Sequence, residues 1–273
     1  MDGRGTSGWS TAAVHLLPQG DTPDIPPALE VSGLTVVYDR KPALWDISYR
    51  SPTEGLVAIV GPNGAGKSTF LKAVLGLVPR VSGKVELLGE PAGKVRGRIG
   101  YVPQRTAVDW SFPTTALDVV AMGLYGRIGW LRPVRRHHLA RARRYLADVG
   151  MEAFADRQIG QLSGGQQQRV FLARAVAQEA SVYFMDEPLV GVDAATESVI
   201  FDILRRLRRD GRTVFCVHHD LQSVSRHFDH VLILNMRSFA AGPVDRVFTA
   251  ENLQEAYGGR LAPGELSGLR LSG

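Results

Sequence analysis

Residues 61–69 read GPNGAGKST, a glycine-rich loop ending in lysine, serine and threonine. The spacing fits G-x-x-x-x-G-K-[ST]. In that pattern the glycines let backbone N–H groups wrap phosphate oxygens, Lys67 reaches the β and γ phosphates, and Ser68 can ligate Mg2+. Gly61, Pro62, Asn63, Gly64, Ala65, Gly66, Lys67, Ser68 and Thr69 are therefore expected to hold a nucleotide. A magnesium nucleotide needs a second acidic contact, and VYFMDEP at 182–188 places two adjacent carboxylates after an apolar run. Asp186 is expected to serve Mg2+, and Glu187 to orient and deprotonate an attacking water. A third stretch, LSGGQQQRVFLARA at 162–175, opens on a serine and two glycines and continues at helical spacing. Ser163 and Gln166 form the S-x-x-Q pattern of a capping box. A glycine pair is conformationally expensive there, so the segment reads as a second phosphate-binding helix end.

These residues need elements that aim them. GLVAIVG, SVYFMDEP, TVFCVHHD and HVLILN are short apolar runs typical of buried parallel strands, whereas ALEVSGLTVVYD and GKVELLGE alternate like half-exposed strands. The phosphate loop lies between the apolar strand 55–60 and a helix over KSTFLKAVLGLV, so the helix N-terminus adds its partial positive charge to the loop. Between YVPQ and LSGG the block is helix-rich, with TTALDVVAMGLYG and VRRHHLARARRYLADVG, the latter stopping at Gly150. The expected fold is α/β: a phosphate-loop NTPase (RecA-like) core with an antiparallel β subdomain and an inserted helical subdomain at about 105–165. Residues 1–27, rich in Gly, Pro, Ser, Thr and Asp, read as a disordered tail, 28–262 as the nucleotide-binding domain, and 263–273 as a flexible end.

Composition narrows the partners. The chain has 273 residues, 44% hydrophobic and 22% charged, enough for a full globular core. A net charge of +5 suits an anionic partner. A single cysteine precludes an intrachain disulfide framework and fits a reducing compartment. No apolar run approaches the ~18–20 residues that span a bilayer, and the start lacks the plan of a signal peptide, so a cytosolic chain is expected.

GPNGAGKST, Gln104 in VPQR, LSGGQQQR, MDEP, Asp193 in GVDAATE and His219 in HHDL stand in the order and at about the distances of the ATP-binding cassette (ABC) ATPases, and the chain resembles that family from about residue 28 to 261. LSGGQ is the most diagnostic of these motifs. The resemblance implies a homodimer of cassettes facing head to tail, with each ATP between the phosphate loop of one copy and Ser163, Gly164, Gly165, Gln166 and Asp193 of the other. It further implies that Tyr38 stacks on adenine, that Gln104 touches Mg2+ and the water while joining the core to the helical insertion, and that His219 contacts the γ phosphate and positions the water. Mg2+ would then be served by Ser68, Gln104 and Asp186, and catalysis by Glu187, His219 and Gln104.

The insertion YVPQRTAVDWSFPTTALDVVAMGLYGRIGW, with EPLVGVDAATE and VHHDLQSV, is similar to ATPase subunits of bacterial importers for manganese, zinc or chelated iron. That likeness implies a peripheral protein on the cytoplasmic face of the plasma membrane, bound to a separate permease through the block 110–130 and served indirectly by a substrate-binding protein. Leu189 departs from the pattern where an aromatic is usual, and the 27-residue tail is longer than typical. An ATPase subunit of another importer or exporter, or a soluble ABC switch acting on nucleic acid, are the alternatives. A soluble switch usually carries a long coiled-coil insertion or two cassettes, which this chain does not accommodate, and a small phosphate-loop kinase would not explain LSGGQ. Two further features invite other readings. Cys216 and His218 share one face of a strand while His219 takes the other, so no chelating set converges. The run RPVRRHHLARARR holds six arginines and no acid. It lacks interleaved aromatics, and a solvated helix facing an anionic membrane surface fits it equally well, so no nucleic acid is expected as a partner.

Overall fold

Alternation along the apolar strands settles the architecture. The computed structural model describes residues 25–129 and 132–261, and beyond them Leu269 and Leu271. The expected N-terminal tail thus lies almost wholly outside the described residues. Of the expected C-terminal tail only those two leucines are described, and they rest half-buried on the larger core.

The chain begins with β1 (Leu29–Tyr38) and β2 (Lys41–Arg50), an antiparallel hairpin, followed by the wholly buried β3 (Gly55–Val60) and α1 (Lys67–Val74). Next come β4 (Ser82–Leu87), the short β5 (Glu90–Pro91) and β6 (Ile99–Val102). The insertion holds α2 (Ala116–Met122), α3 (Tyr125–Ile128) and α4 (Arg136–Asp148), and leads into α5 (Gly164–Ala177). The remainder is β7 (Val182–Met185), α6 (Ala194–Arg209), β8 (Thr213–Val217), α7 (Leu221–His227), β9 (His230–Asn235), β10 (Arg237–Pro243), α8 (Val244–Val247) and α9 (Ala250–Ala256).

Two sheets result. One is antiparallel, in the order β2-β1-β4-β5. The other runs β10-β9-β3-β8-β7-β6, parallel throughout except for its edge strand β10. This is the expected phosphate-loop core with its antiparallel sheet and helical insertion. Along the central strands successive side chains feed different cores, as the period of two requires. Leu56, Ala58, Val60, Tyr183, Met185, Val214 and Cys216 face the core beneath the helical layer. Val57, Ile59, Val182, Phe184, Phe215 and Val217 face the core shared with α1 and the antiparallel sheet. Both faces are covered, so these strands read as continuous apolar runs. The helical layer itself is closed by α5, which packs on α2 and α4. Helix α4 stops where expected: Gly150 takes φ +67°, and the N–H groups of Gly150 and Met151 return to the carbonyls of Ala147 and Leu146.

Because β3, β6, β7 and β8 are parallel, their C-terminal ends lie on one edge. The phosphate loop, Gln104, the Asp186–Glu187 pair and the His218–His219 pair each follow one of those ends. Four segments far apart in sequence are thereby delivered to one crevice, where α/β sheets of this kind bind ligands.

Candidate functional site

The loop 61–66 passes from β3 into α1, and Asn63 and Gly64 stand exposed at its tip. Gly66 caps the helix at φ +88°, where a Cβ would come within 2.6 Å of the Ala43 carbonyl oxygen. Only glycine fits that left-handed, crowded position. The Lys67 side chain is curled over the loop, Nζ donating to the carbonyls of Gly61 at 2.7 Å and Pro62 at 2.9 Å. Burial lowers its pKa, and the nearby Glu187 and Asp186 charges oppose that shift. At the next residue, Ser68 Oγ donates to Asp186 Oδ1 at 2.8 Å.

Asp186 is fully buried, and burial raises its pKa, with the Ser68 hydrogen bond pulling the other way. Its second oxygen, Oδ2, is buried without a hydrogen-bond partner. A buried carboxylate oxygen left bare is costly and calls for a cation or donor. A hydroxyl and a carboxylate brought together, with one oxygen still bare, are the hard oxygen donors that suit Mg2+.

Glu187 sits beside it at φ +55°, a left-handed conformation that costs a non-glycine residue energy and marks a position fixed by its surroundings. Two side chains hold its carboxylate: Gln104 Nε2 donates to Oε2 at 2.7 Å, and Oε1 accepts from His219 Nε2 at 2.6 Å. Both oxygens are thereby aimed, and the three residues assigned to catalysis meet at one group. His218 turns the opposite way, into a buried pocket with Phe201, Phe228 and Ser223. Among the described residues no cluster of histidine, cysteine and carboxylates could hold a metal ion.

Tyr38 is exposed at the end of β1, in the antiparallel sheet whose strand β2 abuts Gly66. In the helical layer, Ser163 caps α5 as anticipated. Gln166 N–H donates to Ser163 Oγ, and Ser163 N–H donates to Gln166 Oε1 at 2.9 Å. A Cβ on Gly165 would meet Thr196 Oγ1 at 2.9 Å, so this glycine also lets α5 approach α6. Asp193 caps α6 by accepting from Thr196 N–H at 2.8 Å, and that partner holds its carboxyl below the usual range. Within this chain Ser163, Gly164, Gly165, Gln166 and Asp193 form no contact with the phosphate loop among the hydrogen bonds of the described residues.

The basic run is not simply a solvated face. Arg141 of α4 and Arg127 of α3 both pair with Glu179, which Tyr145 also engages, and Arg143 pairs with Asp156. Sequence reading also missed Arg105, whose guanidinium covers Gly164. Its only signal is its place directly after Gln104.

A family model described as ABC transporter matches residues 44–190, more than half of the chain. The chain belongs to the ABC transporter family. As an ABC ATPase it binds and hydrolyses ATP. It is 58% identical over 236 residues to the zinc transport system ATP-binding protein TroB of Treponema pallidum, covering 86% of this chain and 88% of that one. It is 56% identical over 233 residues to the manganese transport system ATP-binding protein MntB of Bacillus subtilis, covering 85% and 93%. Among solved structures, the ATP-binding cassette MJ0796, dimeric in a post-hydrolysis state with ADP and Pi, superposes with a TM-score of 0.71 at 28% identity, covering 79% of this chain and 98% of that one. No described helix of this ABC ATPase is long and apolar enough to cross a membrane.

Proposed function

We propose that this ABC ATPase powers import of a transition-metal ion, manganese, zinc or chelated iron, through a separate membrane permease. The observation that carries the reading is its 58% and 56% identity to subunits of zinc and manganese transport systems. It works as a head-to-tail homodimer, peripheral on the cytoplasmic face of the plasma membrane, and a substrate-binding protein delivers the ion to the permease. Support for the permease contact comes from a hollow of about 280 Å³ walled by Trp110, Phe112, Val119, Met122 and Phe171, with Phe112 60% exposed. Exposed apolar surface of this kind marks protein interaction sites. Trp130, at the end of the expected docking block, lies outside the described residues.

In each half of the dimer, Tyr38 takes the adenine and the 61–69 loop the phosphates. Lys67 exchanges its two carbonyl partners for phosphate oxygens, a stronger charge-assisted bond. Ser68 and Asp186, with Gln104 beside them, would hold Mg2+, which supplies charge neutralisation at the β and γ phosphates. Glu187 takes the proton from the attacking water, and Gln104 and His219 fix the direction of its carboxylate. The second copy presents Ser163 and the N–H groups of Gly164, Gly165 and Gln166 to the γ phosphate. There the α5 dipole contributes about 0.3–2 kcal/mol. Those contacts end when the γ phosphate leaves, so ATP closes the dimer and hydrolysis releases it.

The test is metal uptake in cells lacking the chain. Wild type restores accumulation of one of these metals and copurifies with a membrane permease, whereas Glu187→Gln copurifies without restoring uptake. Normal accumulation of all three metals in the deleted cells would overturn the substrate class.

A further inference from the structure

Arg105 is the first residue after Gln104, and it reaches away from the water-activating pair towards the start of α5. Its Nε donates to Gln167 Oε1 at 3.2 Å. Gln167 is buried, with its amide nitrogen donating to the Ile159 carbonyl at 3.1 Å, so Arg105 completes the pairing of a side chain that cannot turn to water. The rest of the guanidinium lies flat over Gly164, where a Cβ would stand 2.8 Å from Cζ and Nη1 and 3.0 Å from Nη2. The Arg105 carbonyl in turn accepts from Trp110 Nε1 at 3.0 Å, and Trp110 packs edge-on against Phe171 in the proposed docking hollow.

Electrostatics makes this placement informative. Helix α5 carries no acid in its first turn, so a cation at its N-terminus opposes the dipole. Satisfying Gln167 alone asks only for a neutral donor. A positive group at that end becomes favourable when an anion faces it, which is what a second copy's triphosphate would supply.

We infer that Arg105 is a positioning residue that seats the α5 N-terminus against the Gln104 loop. One side chain thereby sets both the segment offered to the partner's ATP and the loop that aims Glu187 at the chain's own ATP. This rests on the head-to-tail reading proposed above.

The experiment uses the full chain with Glu187→Gln as parent. It measures ATP-driven dimerisation by light scattering, binding of a fluorescent ATP analogue to the monomer, and thermal unfolding. Arg105→Met, which keeps the aliphatic stem, is expected to leave monomer affinity within about twofold while raising the ATP or protein concentration needed for dimerisation about tenfold. Gly164→Ala, which pushes the guanidinium off its seat, should weaken dimerisation in the parent and add little once Arg105→Met is present. Dimerisation of Arg105→Met equal to the parent overturns the inference. So does a joint fall of melting temperature, nucleotide affinity and dimerisation, which would make Arg105 a contributor to folding alone. If the parent itself stays monomeric with ATP, the head-to-tail reading falls and the inference with it.

Discussion

Glu187 combines a strained backbone with a carboxylate gripped on both oxygens, so its position is dictated by neighbours rather than by its own preference. Glu187→Gln keeps the size and can still bond to Gln104, but it cannot accept the water's proton. ATP binding should persist, turnover should fall by about 10² to 10⁴, and an ATP-bound dimer should accumulate. Near-normal hydrolysis with Mg2+ and ATP would assign the base to another group. His218, the residue before His219 and turned to the other face of that strand end, makes a different prediction. Burial depresses the His218 pKa to about 4, with Asp220 opposing the shift and His219 and His227 adding to it. In the unfolded chain this histidine titrates near 6.5, so between about pH 6.5 and 4 the unfolded state binds the extra proton and stability falls as pH falls. The loss is at most about 1.4 kcal/mol per pH unit, and it vanishes above about pH 7. Melting temperatures from pH 7.5 to 5 should therefore decline less steeply in His218→Gln, and equal slopes in the two proteins would remove His218 as the cause.

Turns and helices carry the next level of consequence. The β1–β2 hairpin closes on Asp39 and Arg40, both left-handed at φ 45° and 65°. Such two-residue turns favour asparagine and glycine. Arg40→Gly should relieve part of that strain and raise the melting temperature by ~2–4 °C, the shift about 1 kcal/mol produces in a chain of this size. An unchanged or lower value would show that the arginine contributes something that offsets the strain. In the helical layer, Phe112→Asp or Met122→Asp should cut transport while leaving basal ATP hydrolysis within about a factor of two, because these residues lie outside the phosphate site. Equal loss of both activities would point to a folding defect or a different docking face. Elements were legible in the sequence where a single period ran unbroken, as in β3, β7, β8 and the capped α5. They were not where local geometry breaks the period. Strand β2 slips register around Leu44–Ile47, with Asp46 left-handed. Strand β6 contains Gly100, packed so closely under the Tyr183 ring that a Cβ would lie 2.4 Å from it. The motif residues were legible because their chemistry dictates their type. The positive φ of Glu187, the Arg105–Gln167 bond and the convergence on Glu179 were not, since each depends on contacts between segments whose spacing leaves no pattern.

At the scale of the whole molecule, the phosphate loop and the α5 N-terminus share no hydrogen bond among the described residues of one chain, so the decisive test mixes two defective chains. Lys67→Ala and Ser163→Arg should each be nearly inactive alone, the first for lack of phosphate charge and the second because a bulky side chain enters a space suited to small groups. A heterodimer of the two has one composite site with both defects and one with neither. Its rate should reach up to about half that of a wild-type dimer if the sites act independently. With Glu187→Gln added to both chains, the mixture should dimerise with ATP as that parent does. A mixture that stays monomeric while the parent dimerises would remove the head-to-tail arrangement.

The alternation of β3, β7 and β8 between two cores bears on how such a chain can diverge. Neighbouring positions on one strand answer to different constituencies: Val57 and Phe215 to the side that carries α1 and the β1–β2 hairpin, Ala58 and Val214 to the side that carries the helical layer. Drift at the second set can reshape the helical layer, the proposed docking side, while the first set stays under its own selection. A lineage can thus change the transporter it serves without rebuilding the engine.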